Sequence, residues 1–201
     1  ASFQVNVVGT VNILECVRLS QGVRSFVNVT TDKVYRNLES GQAYREDDVL
    51  DGYDPYSNSK SCSELVTAAY RRSFFTDRAV SISTARAGNV LGGGDFAPDR
   101  IIPDCYRAAA DHKDVVIRNP ESIRPYQHVL EPLTAYLAIL EKQYGDGSFA
   151  GSYNIGPYDQ DCITTQQLVE LFFGEWGDGF SYRTDIDPNA PHEASFLKLD
   201  N

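Results

Sequence analysis

The chain has 201 residues, with 28 acidic and 18 basic side chains and a formal net charge of −10. An acidic surface repels nucleic acid and anionic membrane, so neither is expected as a partner. No run approaches the ~20 consecutive apolar residues that cross a bilayer, and Ala1 to Leu14 lack a basic start followed by an apolar block, so a soluble, cytoplasmic protein is expected.

In chain order, Val7, Val8, Val11, Leu14 and Cys16 recur at helical spacing with no N-cap ahead of them, so the chain is expected to begin inside a helix that exits near Gly22. Phe26-Val27-Asn28-Val29 reads as a short buried strand. Tyr56 to Phe75 reads as a helix with Leu65, Ala68, Ala69 and Phe74 near one face, and Val80 to Thr84 alternates as a second strand. Helix, strand, helix, strand with crossover lengths predicts parallel pairing in an α/β sheet. After Gly92-Gly93-Gly94 the elements shorten and prolines multiply, which predicts a smaller second lobe. Its helices are expected near Ile101 to Ala110, Pro132 to Gln143 and Thr165 to Trp176. Tyr153 to Gly156 reads as a short strand able to return to the sheet. The cysteines Cys16, Cys62, Cys105 and Cys162 are far apart and form no Cys/His cluster, so reduced, buried thiols and no metal site are expected.

Three stretches carry polar chemistry. Tyr56 and Lys60 form a Tyr-x-x-x-Lys pair, and four residues on a helix put both side chains on one face. A nearby ammonium favours the phenolate of a tyrosine whose free pKa is about 10, which makes such a tyrosine a possible base for a sugar hydroxyl. Taken alone, the spacing is a weak signal. Thr30-Thr31-Asp32-Lys33 follows the first strand, where ligands gather in open α/β sheets. Asp32 and Lys33 read either as a proton donor and acceptor pair or as a turn cap beside a solvated lysine. Arg86-Ala87-Gly88-Asn89 leads into the triple glycine, where bare backbone can approach a ligand closely. Arg100, Arg118 and Arg124 downstream would suit a pyrophosphate if they converge.

In order, Val-Asn-Val-Thr-Thr-Asp-Lys (27–33), Tyr-Asp-Pro-Tyr-Ser-Asn-Ser-Lys (53–60), Ala-Arg-Ala-Gly-Asn-Val-Leu-Gly-Gly-Gly-Asp (85–95), Ile-Arg-Asn-Pro (117–120), Ile-Arg-Pro-Tyr-Gln-His-Val-Leu-Glu-Pro (123–132) and Pro-His-Glu-Ala-Ser-Phe-Leu-Lys-Leu-Asp (191–200) resemble the CDP-glucose 4,6-dehydratases. These are extended short-chain dehydrogenases/reductases. The resemblance covers nearly the whole chain. It implies a partial Rossmann-like doubly wound parallel sheet with a smaller α+β substrate-binding lobe. Residues 1–91 would be the later half of an NAD-binding domain, and 92–201 mainly the lobe for the nucleotide sugar.

The resemblance also implies roles. Tyr56 would take the proton from the C4 hydroxyl of the hexose, with Lys60 holding the cofactor ribose and the phenolate and Ala87 beside the cofactor NAD. Thr31 would hold the C4 oxygen, and Asp32 would protonate the departing C6 hydroxyl. Lys33 stands where the dTDP-glucose relatives carry a Glu base. A lysine acts as a base only if its pKa falls well below its free value of about 10.4; otherwise its ammonium would stabilise an enolate. Asn89, Arg100, Arg124 and His192 would contact the nucleotide diphosphate, and Phe96 replaces a common Trp. The family's glycine-rich turn is expected before Ala1 and further helices beyond Asn201. Homodimers are expected to form through the helices near Val5 to Leu19 and Tyr56 to Phe75. A 4-epimerase or dTDP-glucose dehydratase on the same scaffold, and a non-catalytic binding module, are the competing readings. Asp32 with Lys33 argues against an epimerase, which needs only the Tyr/Lys pair.

Overall fold

The computed structural model describes residues 1–39, 41–76, 78–177, 181–186 and 196–201. A π-helical turn, Gln4–Val8, runs into α1, Gly9–Leu19, followed by β1, Ser25–Val29, α2, Pro55–Phe74, and β2, Ser81–Ala87. Next come β3, Val90–Leu91, α3, Ile101–Asp111, β4, Val115–Ile117, β5, Ile123–Arg124, β6, Gln127–His128, and α4, Leu130–Gly145. The order closes with β7, Ser152–Ile155, β8, Ile163–Thr164, α5, Thr165–Trp176, and β9, Tyr182–Thr184.

The central sheet has the order β1-β2-β7, parallel throughout, with Val29 opposite Ala85 and Ala87 opposite Ile155. Side chains alternate across a strand, so neighbours in sequence report opposite faces. Ser25 on β1 bonds to α4 through Gln143 and the Leu140 carbonyl, whereas Asn28 bonds to Ser63 and Thr67 of α2. Helices therefore cover both faces, and the sheet is doubly wound. Double cover also explains β2: every residue from Ile82 to Ala87 is buried, polar ones included.

On the α2 side, Leu14, Val17, Phe75 and Ile82 form a core with Val66 and Tyr70 against it. A separate core of Cys105, Val115, Ile117 and Val169 lies among α3, β4 and α5. The short strands pair as β3 with β6, β4 with β9 and β5 with β8.

One expectation about burial, that for the cysteines, is corrected, and the buried face of α2 is polar. The buried face of α2 is Ser57, Ser59, Ser61, Ser63, Glu64 and Thr67, while Leu65, Ala69 and Phe74 are exposed. Its hydroxyls bond to backbone carbonyls within the helix or to the strand side, so they can be buried satisfied. Of the four cysteines only Cys105 is buried; its thiol is pushed up to about 12, first by burial and then by Asp104.

Candidate active site

Asp54 caps α2 by accepting from the Tyr56 and Ser57 amides at 2.8 and 3.1 Å, and Pro55 occupies the first helical position. This start signal fixes Tyr56 in the first turn and Lys60 one turn on. The Thr30 amide bonds to the Ala85 carbonyl at 2.9 Å, and the chain then turns through a 3-10 helix, Asp32–Val34. The turn brings Thr31, Asp32 and Lys33 to the carboxyl end of β1.

Asp32 is 1% exposed. Its Oδ1 accepts from the Thr31 hydroxyl at 3.0 Å and from Lys33 Nζ at 3.0 Å. Its Oδ2 is buried with no hydrogen-bond partner among the described residues. A buried carboxylate oxygen left unpaired is costly, so this oxygen is placed to accept from a ligand hydroxyl. Lys33 Nζ also donates to Asn89 Oδ1 at 3.4 Å, so the amine bridges the turn to the segment after β2.

One cavity of about 640 Å³ is lined by Thr31, Asp32, Lys33 and Tyr56 from one side of the site, and by Ala87 and Asn89 from the end of β2. Arg100, at the N-cap position of α3, and buried Arg124 complete it. Arg118 also lines it, with Nη2 on Asp99 at 2.8 Å. Lys60 instead lines a smaller hollow of about 280 Å³ with Asn28 and Ser63. His192 lies outside the described residues.

Lys60 Nζ donates to the Val29 carbonyl at 3.3 Å. Burial depresses its pKa, opposed by the Glu64 carboxylate one turn along α2. Among the described residues that carbonyl is its hydrogen-bond acceptor, so its other N–H groups suit the hydroxyls of a cofactor ribose.

Gly88 lines the cavity, and the glycines also serve the local path of the chain. A Cβ on Gly88 would stand 2.4 Å from Pro125 Cγ, so this glycine lets two chain segments cross. Gly94 turns the chain at φ +83°.

Sequence reasoning missed the support behind the turn. Glu64 of α2 and Arg86 of β2 form an ion pair at 3.0 Å. Thr30 Oγ1 donates to Glu64 Oε1 at 2.5 Å, and Arg86 Nη1 donates to Tyr35 OH at 2.7 Å. The available signal was the spacing Tyr56, Lys60, Glu64, which puts all three on one helical face.

A doubly wound parallel sheet, with an acid–amine turn at one strand end and a Tyr-x-x-x-Lys helix beside it, defines a Rossmann-like class of nucleotide-cofactor enzymes. Residues 1–156 match the model described as the NAD dependent epimerase/dehydratase family, and the chain belongs to that family. It is 46% identical to the CDP-glucose 4,6-dehydratase of Salmonella typhimurium over 99% of this chain and 57% of that protein. It is 30% identical to the dTDP-glucose 4,6-dehydratase of Streptomyces griseus over 87% of this chain and 51% of that protein. The chain therefore spans little more than half the length of these relatives.

Solved structures with a similar fold include a dehydratase and an epimerase. The dTDP-glucose 4,6-dehydratase of Bacillus anthracis in complex with NAD matches at TM-score 0.78 and 23% identity, over 98% of this chain and 59% of that one. The UDP-glucuronic acid 4-epimerase of Bacillus cereus, in complex with UDP-glucuronic acid and NAD, matches at TM-score 0.82 and 19% identity, over 97% and 58%.

Proposed function

We propose that this chain forms the catalytic and sugar-binding part of a full-length NAD-dependent nucleotide-sugar 4,6-dehydratase that converts CDP-glucose to CDP-4-keto-6-deoxyglucose and water. The observation that carries the reading is Asp32: a buried carboxylate with one unpaired oxygen, gripping Lys33, in the same cavity as Tyr56. A 4-epimerase needs a base at C4 but no acid for a leaving hydroxyl at C6. The 46% identity to a CDP-glucose enzyme supports cytosine as the base.

Bound NAD would accept the C4 hydride and return it at C6, held by Tyr56, Lys60 and Ala87. Tyr56 takes the C4 hydroxyl proton, and the Lys60 ammonium favours the phenolate. Thr31 helps hold the C4 oxygen, its hydroxyl turning from Asp32 Oδ1 to do so. Once C4 is a ketone the C5 proton is acidic; either a neutral Lys33 amine takes it while a protonated Asp32 gives its proton to the C6 oxygen as water leaves, or the Lys33 ammonium holds the enolate charge while the Asp32 carboxylate takes the C5 proton and passes it to the C6 oxygen. Asn89, Arg100, Arg124 and His192 hold the diphosphate. Residues 1–91 form the later half of the cofactor domain and 92–201 mainly the sugar lobe, with β7 lent back to the sheet.

We assign the full-length protein to the cytoplasm as a homodimer. No helix among the described residues is long and apolar enough to cross a membrane. The first helical segment and α2 leave Val5 68% and Leu65 54% exposed, which supports pairing of these helices with their copies. The test is incubation of the full-length protein with CDP-, dTDP- and UDP-glucose. Formation of the 4-keto-6-deoxy sugar from CDP-glucose is expected; epimerised hexose as the product, or no conversion, would overturn the reading.

A further inference from the structure

Glu64 and Arg86 are almost wholly enclosed, with 2% and 3% of their side chains exposed. Neither lines the cavity. Burying two charges is costly, and well-packed apolar side chains often hold a core as well. What the pair touches suggests its use. Glu64 Oε2 takes the Arg86 guanidinium, and Oε1 takes the Thr30 hydroxyl at 2.5 Å. The guanidinium donates in turn to Tyr35 OH at 2.7 Å and the Glu46 carbonyl at 2.9 Å, and it lies 5.1 Å from the Tyr35 ring centroid. Tyr35 OH passes a hydrogen bond on to Asn154 of β7 at 2.5 Å.

Thr30 immediately precedes the segment Thr31–Val34, and Tyr35 immediately follows it. One ion pair therefore grips both ends of the turn that carries Thr31, Asp32 and Lys33. The same Glu64 stands two helical turns beyond Tyr56 on a shared face of α2. The turn and the tyrosine helix are thus registered to a single carboxylate–guanidinium contact.

We propose that the Glu64–Arg86 pair is a positioning clamp that sets Asp32 and Lys33 against Tyr56, so that water loss across C5 and C6 depends on it more than substrate binding does. The inference rests on the dehydratase reading for the step it names. Positional errors of about 1 Å can cost on the order of a hundredfold in rate.

The test uses the full-length enzyme with its cofactor and three conservative variants. Thr30→Val deletes the hydroxyl held by Glu64, Tyr35→Phe deletes the one held by Arg86, and Thr30→Ser keeps a hydroxyl. For Thr30→Val and Tyr35→Phe, kcat for the 4-keto-6-deoxy product should fall by about tenfold to a hundredfold with KM little changed. Reduced cofactor should accumulate during turnover, because oxidation at C4 outruns elimination. Thr30→Ser should behave nearly as wild type. Without any substrate, hydrogen exchange at the Asp32, Lys33 and Val34 amides should quicken in Thr30→Val and Tyr35→Phe while α4 is unchanged.

Unchanged exchange at these amides in both variants would overturn the clamp, as would wild-type kcat. A loss shared equally by Thr30→Ser, or one confined to KM or to melting temperature, would also overturn it. If wild type converts no nucleotide hexose, the dehydratase reading falls, and the exchange comparison still decides whether the pair holds the turn.

Discussion

Replacing Lys33 with alanine in the full-length enzyme separates the two halves of the proposed reaction. The amine sits 3.0 Å from Asp32 Oδ1 and 3.4 Å from Asn89 Oδ1, with its side chain 41% exposed. At that distance and an effective dielectric of about 20, the attraction is about 5 kcal/mol. Water over the exposed lysine screens most of it, so the stability loss should be about 1 kcal/mol. The catalytic loss should be larger. A general base is worth about 10²–10⁴ in rate and a donor to a developing oxyanion about 10²–10³. Lys33→Ala should therefore spare oxidation at C4 and slow elimination by at least about a hundredfold. Reduced cofactor and 4-keto hexose should build up on the enzyme, and solvent deuterium should fail to enter C5. Lys33→Glu restores a proton acceptor and reverses the charge; Lys33→Arg keeps a charge that cannot be given up. Partial rescue by Glu favours the base, and activity in Arg alone favours charge stabilisation. If Lys33→Ala exchanges deuterium and dehydrates at the wild-type rate, Lys33 is a solvated charge at a strand end and the reasoning fails.

Tyr56→Phe should abolish the first oxidation by about 10²–10⁴, read as absent reduced cofactor with nucleotide-sugar binding retained. Burial raises the Tyr35 phenol from 10.0 to about 12, so its contribution is full below pH 10 and is lost as the pH climbs towards about 12. That loss should approach about 3 kcal/mol, and denaturant titrations of Tyr35→Phe should fall less steeply than wild type across this window. If the full-length protein is the homodimer proposed above, Leu65→Asp should convert it to monomer in sedimentation, without changing the buried side of α2.

Elements with local signals were legible. The helix expected over Tyr56 to Phe75 falls on α2, Pro55–Phe74, and the run from Phe26 to Val29 lies within β1. Thr164 and Gln167 form a capping box at the start of α5, whose residues are those expected. The two-residue strands β3, β5, β6 and β8 were not legible, because two residues carry no period and their partners are distant in sequence. In the cavity, the order of motifs selected Thr31, Asp32, Lys33, Tyr56, Ala87, Asn89, Arg100 and Arg124, all of which line it. The roles of Arg118 and Asp99 as facing partners could not be read, since pairing across the site depends on the lobe's shape.

The serine face of α2 shows why the support behind the site was hidden. A helix is usually read by its apolar stripe, and Leu65 and Phe74 supply one that points outward. The buried hydroxyls do not need solvent. Ser59 bonds to the Tyr56 carbonyl at 2.7 Å, Ser61 to Val34 at 2.7 Å and to Ser57 at 3.1 Å, and Thr67 to Ser63 at 2.8 Å. Small side chains also permit close approach: a Cβ on Gly52 would lie 2.4 Å from the Ser57 backbone. Larger apolar residues at Ser57 or Ser61 would bury more surface but push α2 away from the Thr30–Tyr35 turn, since a filled interior tolerates little added volume. Tyr56 and Lys60 would move with the helix. A face that looks solvent-exposed in sequence is thus what brings the tyrosine and the buried carboxylate to the same cavity.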